Sequence, residues 1–454
     1  MADDLVVIGG GVAGMAAAAH AARRGARVTV IEKSDGLGGS GALSAGILWT
    51  APDRETLRRV TPRGDEELGM VIVDGFEDAV EDVRSWGVEV SERWYGQLGY
   101  GVAHRIDIHA LLRAWEEEVL RSGRILRNTA STELIVEAGA VRGTRVHGHG
   151  GEDEVRGGGV ILATGGCQGD PALLRTWLGA GAERLLLRSN PHSAGDGFRL
   201  GRSAGAAGAG AFDSFYGHMI PTPLNRWEPE DYLPLTQYHS KACVVVNVYG
   251  RRFADESRGD EVTNQRLFRQ PGSRGVVLCD ERVRREHAIA APYPHGQVVD
   301  RIEYARERGA RVATASTLDE LVDEVSRWGV HGPRLRQTLA DVEAAAAGSP
   351  PSTPDAPFPA EPQPLVEPPF YAVEVQPAIT FTFGGLRTDT YGRALNEAGE
   401  PVPGLYAIGA DMGGVQEDGY IGGLILGLVF GPRAVEAALG APARGRAEEV
   451  SASG

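Results

Sequence analysis

Leu5 to Ile8 (LVVI) is an unbroken apolar run that predicts a short buried strand. Ala13 to Arg24 is alanine-rich with basic residues at its end, which predicts a helix, and Arg27 to Ile31 (RVTVI) predicts a second strand closed by Glu32. The chain therefore opens with a βαβ unit. Helical patterning follows over Glu66 to Trp86 and Ile108 to Arg121, and glycine-punctuated strand pieces between Glu133 and Val155 read as a β-meander. VILATGG, Val160 to Gly166, predicts another buried strand. From Phe212 to about Ala347 aromatic and charged residues become more frequent, with a helical end over Leu318 to Ala347. Gly404 to Gly409 (GLYAIG) and Leu424 to Leu439 predict a further buried strand and a last helix, and no internal repeat is visible.

Between these blocks lies Ser349 to Pro369, where nine of 21 residues are proline. Such a stretch is neither helix nor central strand and reads as a stiff extended connector between domains. The expected organisation is α/β: a Rossmann-like domain in two pieces, 1–211 and 372–440, with an α+β capping domain inserted at 212–371 and a disordered tail at 441–454.

At 454 residues the chain has material for two cores, and its net charge of −15 argues against nucleic acid or an anionic membrane surface as partner. Cys167, Cys243 and Cys279 form no CxxC pair, so no iron–sulfur cluster, structural zinc or disulfide framework is expected, and no metal. The acidic N-terminus is unlike a secretory signal and no run of about 18 apolar residues occurs, so the expected location is the cytoplasm.

Gly9, Gly11 and Gly14 form GxGxxG directly between the first strand and the first helix. Glycines there permit the tight turn and let a pyrophosphate approach backbone amides at the helix N-terminus. Glu32 stands where a carboxylate accepts both ribose hydroxyls. NAD and FAD both use this unit. A second glycine cluster, Gly38-Gly39-Ser40 with Ser44 and Gly46, begins six residues after Glu32 and suits a ligand lying along an extended segment, as FAD does.

The segment EKSDGLGGSGALSAGILW resembles the flavin-contacting segment of the family of fumarate reductase flavoprotein subunits and 3-ketosteroid Δ1-dehydrogenases. VILATGGCQGD, SAGDGFRLGRSAGA, VNVYGRRFADES, FGGLRTD and GLYAIGADMGG resemble that family in order and spacing. The resemblance implies FAD bound by Gly9, Gly11, Val12, Ala13, Gly14, Glu32, Lys33, Gly38, Gly39, Ser40, Ser44, Ala45 and Gly46 in the first piece. It adds Ala163, Thr164, Gly165, Asp196, Gly409, Asp411, Gly423, Leu424 and Ile425 further along. Some members carry the flavin covalently on a histidine after the GG pair; residues 40–44 hold none, so FAD is expected to be non-covalent. No second GxGxxG is present, which leaves the electron donor or acceptor external and unspecified. The last helix, opening at Gly422-Gly423, is expected to aim its N-terminus at the flavin pyrimidine edge, as well as packing in the core.

By the same resemblance the reaction makes or removes a C=C bond beside a carbonyl or carboxylate, which requires a proton-transfer group and donors for a developing enolate oxygen. Four residues beyond the glutamate of Asp255-Glu256 stands Asp260, at the family's proton-transfer position, with Arg258 as the competing candidate. Tyr420 stands where fumarate reductases have a carboxylate-clamping arginine and ketosteroid dehydrogenases a carbonyl-polarising tyrosine, with the Leu424 amide as its expected companion. His218 matches a substrate-binding histidine, while Phe381 replaces the family's histidine before the GG pair. These replacements imply a bulkier, less charged carbonyl substrate than a small dicarboxylate. A fumarate reductase or tricarballylate dehydrogenase activity is the enzymatic alternative, and a non-catalytic flavin-binding redox protein the other.

Overall fold

The computed structural model describes residues 3–352 and 355–440; the expected tail at 441–454 lies outside the described residues. Six strands form the sheet beneath the first glycine cluster, in the order Arg393–Leu395, Pro401–Ala407, Val160–Leu162, Leu5–Ile8, Val28–Ile31 and Arg124–Leu126. All neighbours are parallel except the first pair. Leu5–Ile8 and Val28–Ile31 are buried throughout, which is why both read as continuous apolar runs instead of alternating ones.

The helix Val12–Arg23 owes its place to small side chains. A Cβ on Gly427 would lie 2.7 Å from Ala13 Cα, so Val12–Arg23 and the last helix, Leu424–Leu439, meet almost backbone to backbone. That contact fixes the last helix and carries its Gly423–Leu424 end to the tips of the parallel strands. Gly9 is equally constrained: its φ is +105°, and a Cβ there would sit 2.2 Å from the Ala163 carbonyl oxygen.

The inserted region has a sheet of its own. Its centre is the ten-residue strand Phe370–Ile379, paired with Gly275–Asp280, Met219–Pro221, Val312–Ala315 and Leu186–Leu187. Val244–Asn247 extends it beyond Gly275–Asp280. Leu321, Val325, Leu335 and Val342, from the helices Leu318–Arg327 and Gly332–Ala346, pack on Val244, Val246 and Ala372.

Several expected boundaries move. Glu66 to Trp86 is two helices, Glu66–Asp74 and Phe76–Ser85, because Gly75 turns the chain against Val429 of the last helix. Leu318 to Ala347 is also two, separated where Gly329 adopts φ +96°. The strand beginning at Val160 stops at Leu162, since Gly165 and Gly166 turn left-handed. The proline-rich segment is irregular but does not join two domains. Phe358 and Leu365 pack on the insert's core and Arg252 donates to the Pro357 carbonyl at 3.0 Å. The strand that follows spans the expected 371/372 boundary, and its pairing puts residues 370–379 with the insert.

Candidate active site

A cavity opens at the C-terminal tips of the parallel strands, enclosing about 1210 Å³ of empty space, part of it open to solvent. Gly9, Gly11, Val12, Ala13, Glu32, Lys33, Gly38, Gly39, Ser40 and Ser44 line it. So do Ala163, Thr164, Gly165, Asp196, Gly409, Gly423 and Leu424. Around Gly11 a Cβ would meet nothing nearer than 4.0 Å, the backbone oxygens of Ala163 and Gly38, so the missing side chain leaves room on the cavity side. Glu32 is held by the Gly10 amide at 2.8 Å and by the Ser34 amide and hydroxyl at 2.8 and 2.7 Å. Lys33 and Asp196 are ion-paired at 2.5 Å. Gln168 borders the same lining and braces it, its Nε2 donating to the Gly165 carbonyl at 2.9 Å and to the Ser189 hydroxyl at 3.2 Å. An open glycine cradle and a fixed carboxylate fit an FAD.

Five expected contacts stand behind the lining. Gly14 packs on the Gly9 carbonyl and Gly46 on the Ile106 carbonyl, both as backbone approaches. Ala45 continues that turn, and Ile425 is in the core. Asp411 is a clamp: its carboxylate accepts from the Thr164 amide and hydroxyl and the Gly166 amide, fixing the loop after Val160–Leu162. Burial pushes it up to about 6 against those hydrogen bonds.

Where the insert meets the cavity, aromatic rings gather. Tyr420 lines the cavity, stacks on Tyr216 at 3.7 Å between ring centres, and touches Trp49 and Phe381 edge-on. Its loop is braced by the Gln416 side chain, which donates to the Gly422 carbonyl and accepts from the Ile421 amide. Tyr100 donates to the Tyr420 carbonyl at 2.6 Å. Burial drives the Tyr420 phenol upward and keeps it protonated, opposed by the Gly423 amide at its oxygen.

Asp260 and His218 are brought together, but behind this surface. Asp260 Oδ2 lies 2.6 Å from His218 Nδ1, and His218 Nε2 lies 2.7 Å from the Tyr216 hydroxyl. All three are buried. Desolvation pushes Asp260 up to about 8 and His218 well down, so the pair shares one proton and is net neutral. Arg258 is exposed and lines neither this cavity nor the neighbouring cleft that Asp260 and Glu261 border. Tyr216 escaped the sequence reading; its only signal was the Tyr-x-His spacing within SFYGH. His239, Cys243 and Cys279 also converge, their donor atoms within 4.8 Å of one another, although the cysteines are far apart in sequence.

Glu261, beside Asp260, is also pushed up to about 8 by burial, and its Oε1 has no partner. Both carboxyls hold protons in the folded state that the unfolded chain releases near pH 4. Their stabilisation is complete below that pH and is lost as pH rises toward 8. The melting temperature is expected to fall by several degrees from pH 5 to pH 8.5, each kcal/mol lowering it by roughly 1 °C in a chain of this length. Glu261→Gln should flatten the decline in a thermal-denaturation series; a melting point that rises over this interval contradicts the assignment.

A cavity that fits a dinucleotide at the tips of a parallel sheet goes with the class the relatives share, and the chain is an FAD-dependent oxidoreductase acting on CH–CH groups. A family profile described as an FAD binding domain matches residues 4–423, and the chain belongs to that family. It is 26% identical over 447 residues to a fumarate reductase (cytochrome) of Shewanella frigidimarina, covering 92% of this chain and 74% of that one. It is 26% identical over 530 residues to a 4-oxocyclohexanecarboxylate 2-dehydrogenase of Sinomonas cyclohexanicum, covering 94% and 90%. The fold is shared with a 3-ketosteroid-Δ4-(5α)-dehydrogenase from Rhodococcus jostii, with a TM-score of 0.74, 22% identity and 96% of each chain covered. Among the described residues no helix is long and apolar enough to cross a membrane.

Proposed function

We propose that the protein desaturates the α,β carbon–carbon bond of a ketone or related carbonyl compound, or runs the reverse reduction, with FAD held non-covalently. The observation that carries this reading is Tyr420, a protonated phenol with the Gly423 amide at its oxygen, on the cavity wall and ringed by Trp49, Tyr216 and Phe381. A neutral phenol donor in an aromatic corner suits a carbonyl oxygen that gains charge as the adjacent C–H loses its proton, and the Gly423 amide at its oxygen leaves the phenol proton to point at the substrate. Lys33, which also lines the cavity, is tied to Asp196, so it offers no free charge to a dicarboxylate.

In this reading Tyr216, which stacks on the cavity-lining Tyr420, transfers the proton, with His218 and Asp260 behind it. In desaturation the line starts from its ionised form, Asp260 a carboxylate and His218 protonated on Nδ1 alone: the phenolic oxygen receives the α-proton as its own proton passes to His218 Nε2 and the Nδ1 proton passes to Asp260, leaving the pair neutral; reduction runs the line backwards. When bound, FAD supplies the hydride acceptor or donor. Asp260 thus acts through His218, two hydrogen bonds from the substrate, and is a positioning and proton-storing residue.

An anaerobic screen following flavin absorbance tests the reading. Saturated cyclic ketones are expected to bleach the oxidised flavin, while tricarballylate and succinate leave it coloured. Bleaching by a tricarboxylate or dicarboxylate and by no ketone would transfer the chain to the carboxylate-handling group.

A further inference from the structure

His239 lies in the one-turn helix Tyr238–Ala242, and Cys243, four residues on, leads into the strand Val244–Asn247. That strand pairs antiparallel with Gly275–Asp280, Val244 opposite Leu278, and the register puts Cys243 opposite Cys279. The fold thereby gathers one imidazole and two thiols, all buried, with their donor atoms within 4.8 Å of one another. Three atoms so spaced share a point no more than about 2.8 Å from each, against roughly 2.0–2.1 Å for a zinc–nitrogen bond and roughly 2.3 Å for a zinc–sulfur bond. Side-chain shifts of under ~1 Å close that gap. The sequence expectation of no metal rested on cysteine spacing, whereas here the strand register supplies the proximity.

His239 is only 1% exposed, and among the described residues neither of its ring nitrogens has a hydrogen-bond partner. A neutral imidazole carries one N–H and one lone pair, and leaving both unmet in the interior is costly. The Cys243 thiol donates to the His239 carbonyl at 3.2 Å and meets the Cys279 thiol. Imidazole with two thiolates selects a thiophilic ion, and two thiolates cancel the charge of a divalent one, so the filled site is neutral as its burial demands. We propose that His239, Cys243 and Cys279 form a structural zinc(II) site that pins the turn Tyr238–Ala242 to the sheet of the insert. Both thiol protons leave to solvent as the ion enters. His239 borders the open cleft that Asp260 and Glu261 also line, which gives the ion a way in and admits a water as fourth ligand. Tyr238 rides on the same turn and meets His218 edge-on at 5.3 Å, so the ion braces the segment packed against the proton line without touching the flavin cavity.

Metal content, read without turnover, tests the site independently of the flavin chemistry. The FAD-loaded chain is produced in zinc-supplemented medium, passed through zinc-free gel filtration and analysed by elemental mass spectrometry. About one zinc per chain is expected to remain, as in a closed structural site. Its X-ray absorption should show two sulfur neighbours at roughly 2.3 Å and a nitrogen at roughly 2.0–2.1 Å. Cys279→Ser should lower the retained zinc at least ~10-fold and reduce the melting temperature, with the flavin-to-protein ratio unchanged. If that variant does not fold, the absorption spectrum of the wild type decides alone. Wild-type protein that retains no zinc, or zinc without sulfur neighbours, overturns the proposal, and so does unchanged zinc in the folded variant. A denatured chain in which only Cys167 reacts as a free thiol also overturns it, because Cys243 and Cys279 would then be joined to each other.

Discussion

Tyr420→Phe is expected to lower turnover by about 10²- to 10³-fold, the usual cost of one donor at a developing oxyanion, with little change in FAD content. The ring itself stays: stacking on Tyr216 and edge contacts with Trp49 and Phe381 do not need the hydroxyl. The loop also stays, because its bracing comes from Gln416 side-chain bonds and from Tyr100 to the Tyr420 carbonyl. Only the hydrogen bond made to substrate oxygen, and the Gly423 amide's bond to the hydroxyl, are lost. Parallel measurement of kcat on a ketone and of the flavin-to-protein ratio checks this. Equal loss of both quantities would make Tyr420 a structural residue.

The second large effect is expected at Tyr216. Tyr216→Phe removes the oxygen that ends the Asp260–His218 line, and general acid–base contributions of this kind are worth about 10²- to 10⁴-fold. The deficit should appear in kcat, with the solvent isotope effect on flavin reduction changed and substrate affinity nearly kept. Asp260→Asn differs in kind. It leaves Tyr216 in place but abolishes the shared proton, so turnover should fall less and its pH dependence should flatten near pH 8, where Asp260 otherwise titrates. A Tyr216→Phe enzyme with wild-type kcat removes the proton line from the mechanism. Arg258→Ala, at an exposed position, is the matched control and should be close to neutral.

The cofactor half of the molecule was legible because its signals are local. GxGxxG, the acid closing the second strand and the second glycine pair are set by spacing along one stretch, and that stretch folds as one βαβ unit. Even there only the fold separated lining residues from supporting ones. Asp411 looked like a ligand contact and is a clamp on the Thr164 loop, which depends on a hydrogen bond between residues 247 positions apart.

The catalytic half was legible only in part. Motif spacing singled out Asp260, His218 and Tyr420 one at a time, yet nothing in the spacing could order them. Tyr216 is brought to Phe381 and Tyr420 by the antiparallel pairing of Phe215–Tyr216 with Phe381–Thr382, which spans more than 150 residues.

What the amino-acid order determined alone, then, was the class of ligand and the scaffold that holds it, because backbone amides, glycine turns and strand-end carboxylates act within a few residues of one another. Tertiary packing decided which side chains line the cavity and which carboxyl is buried against a histidine. Those properties depend on desolvation and on neighbours supplied by distant strands, and burial is a property of the assembled chain rather than of any segment within it.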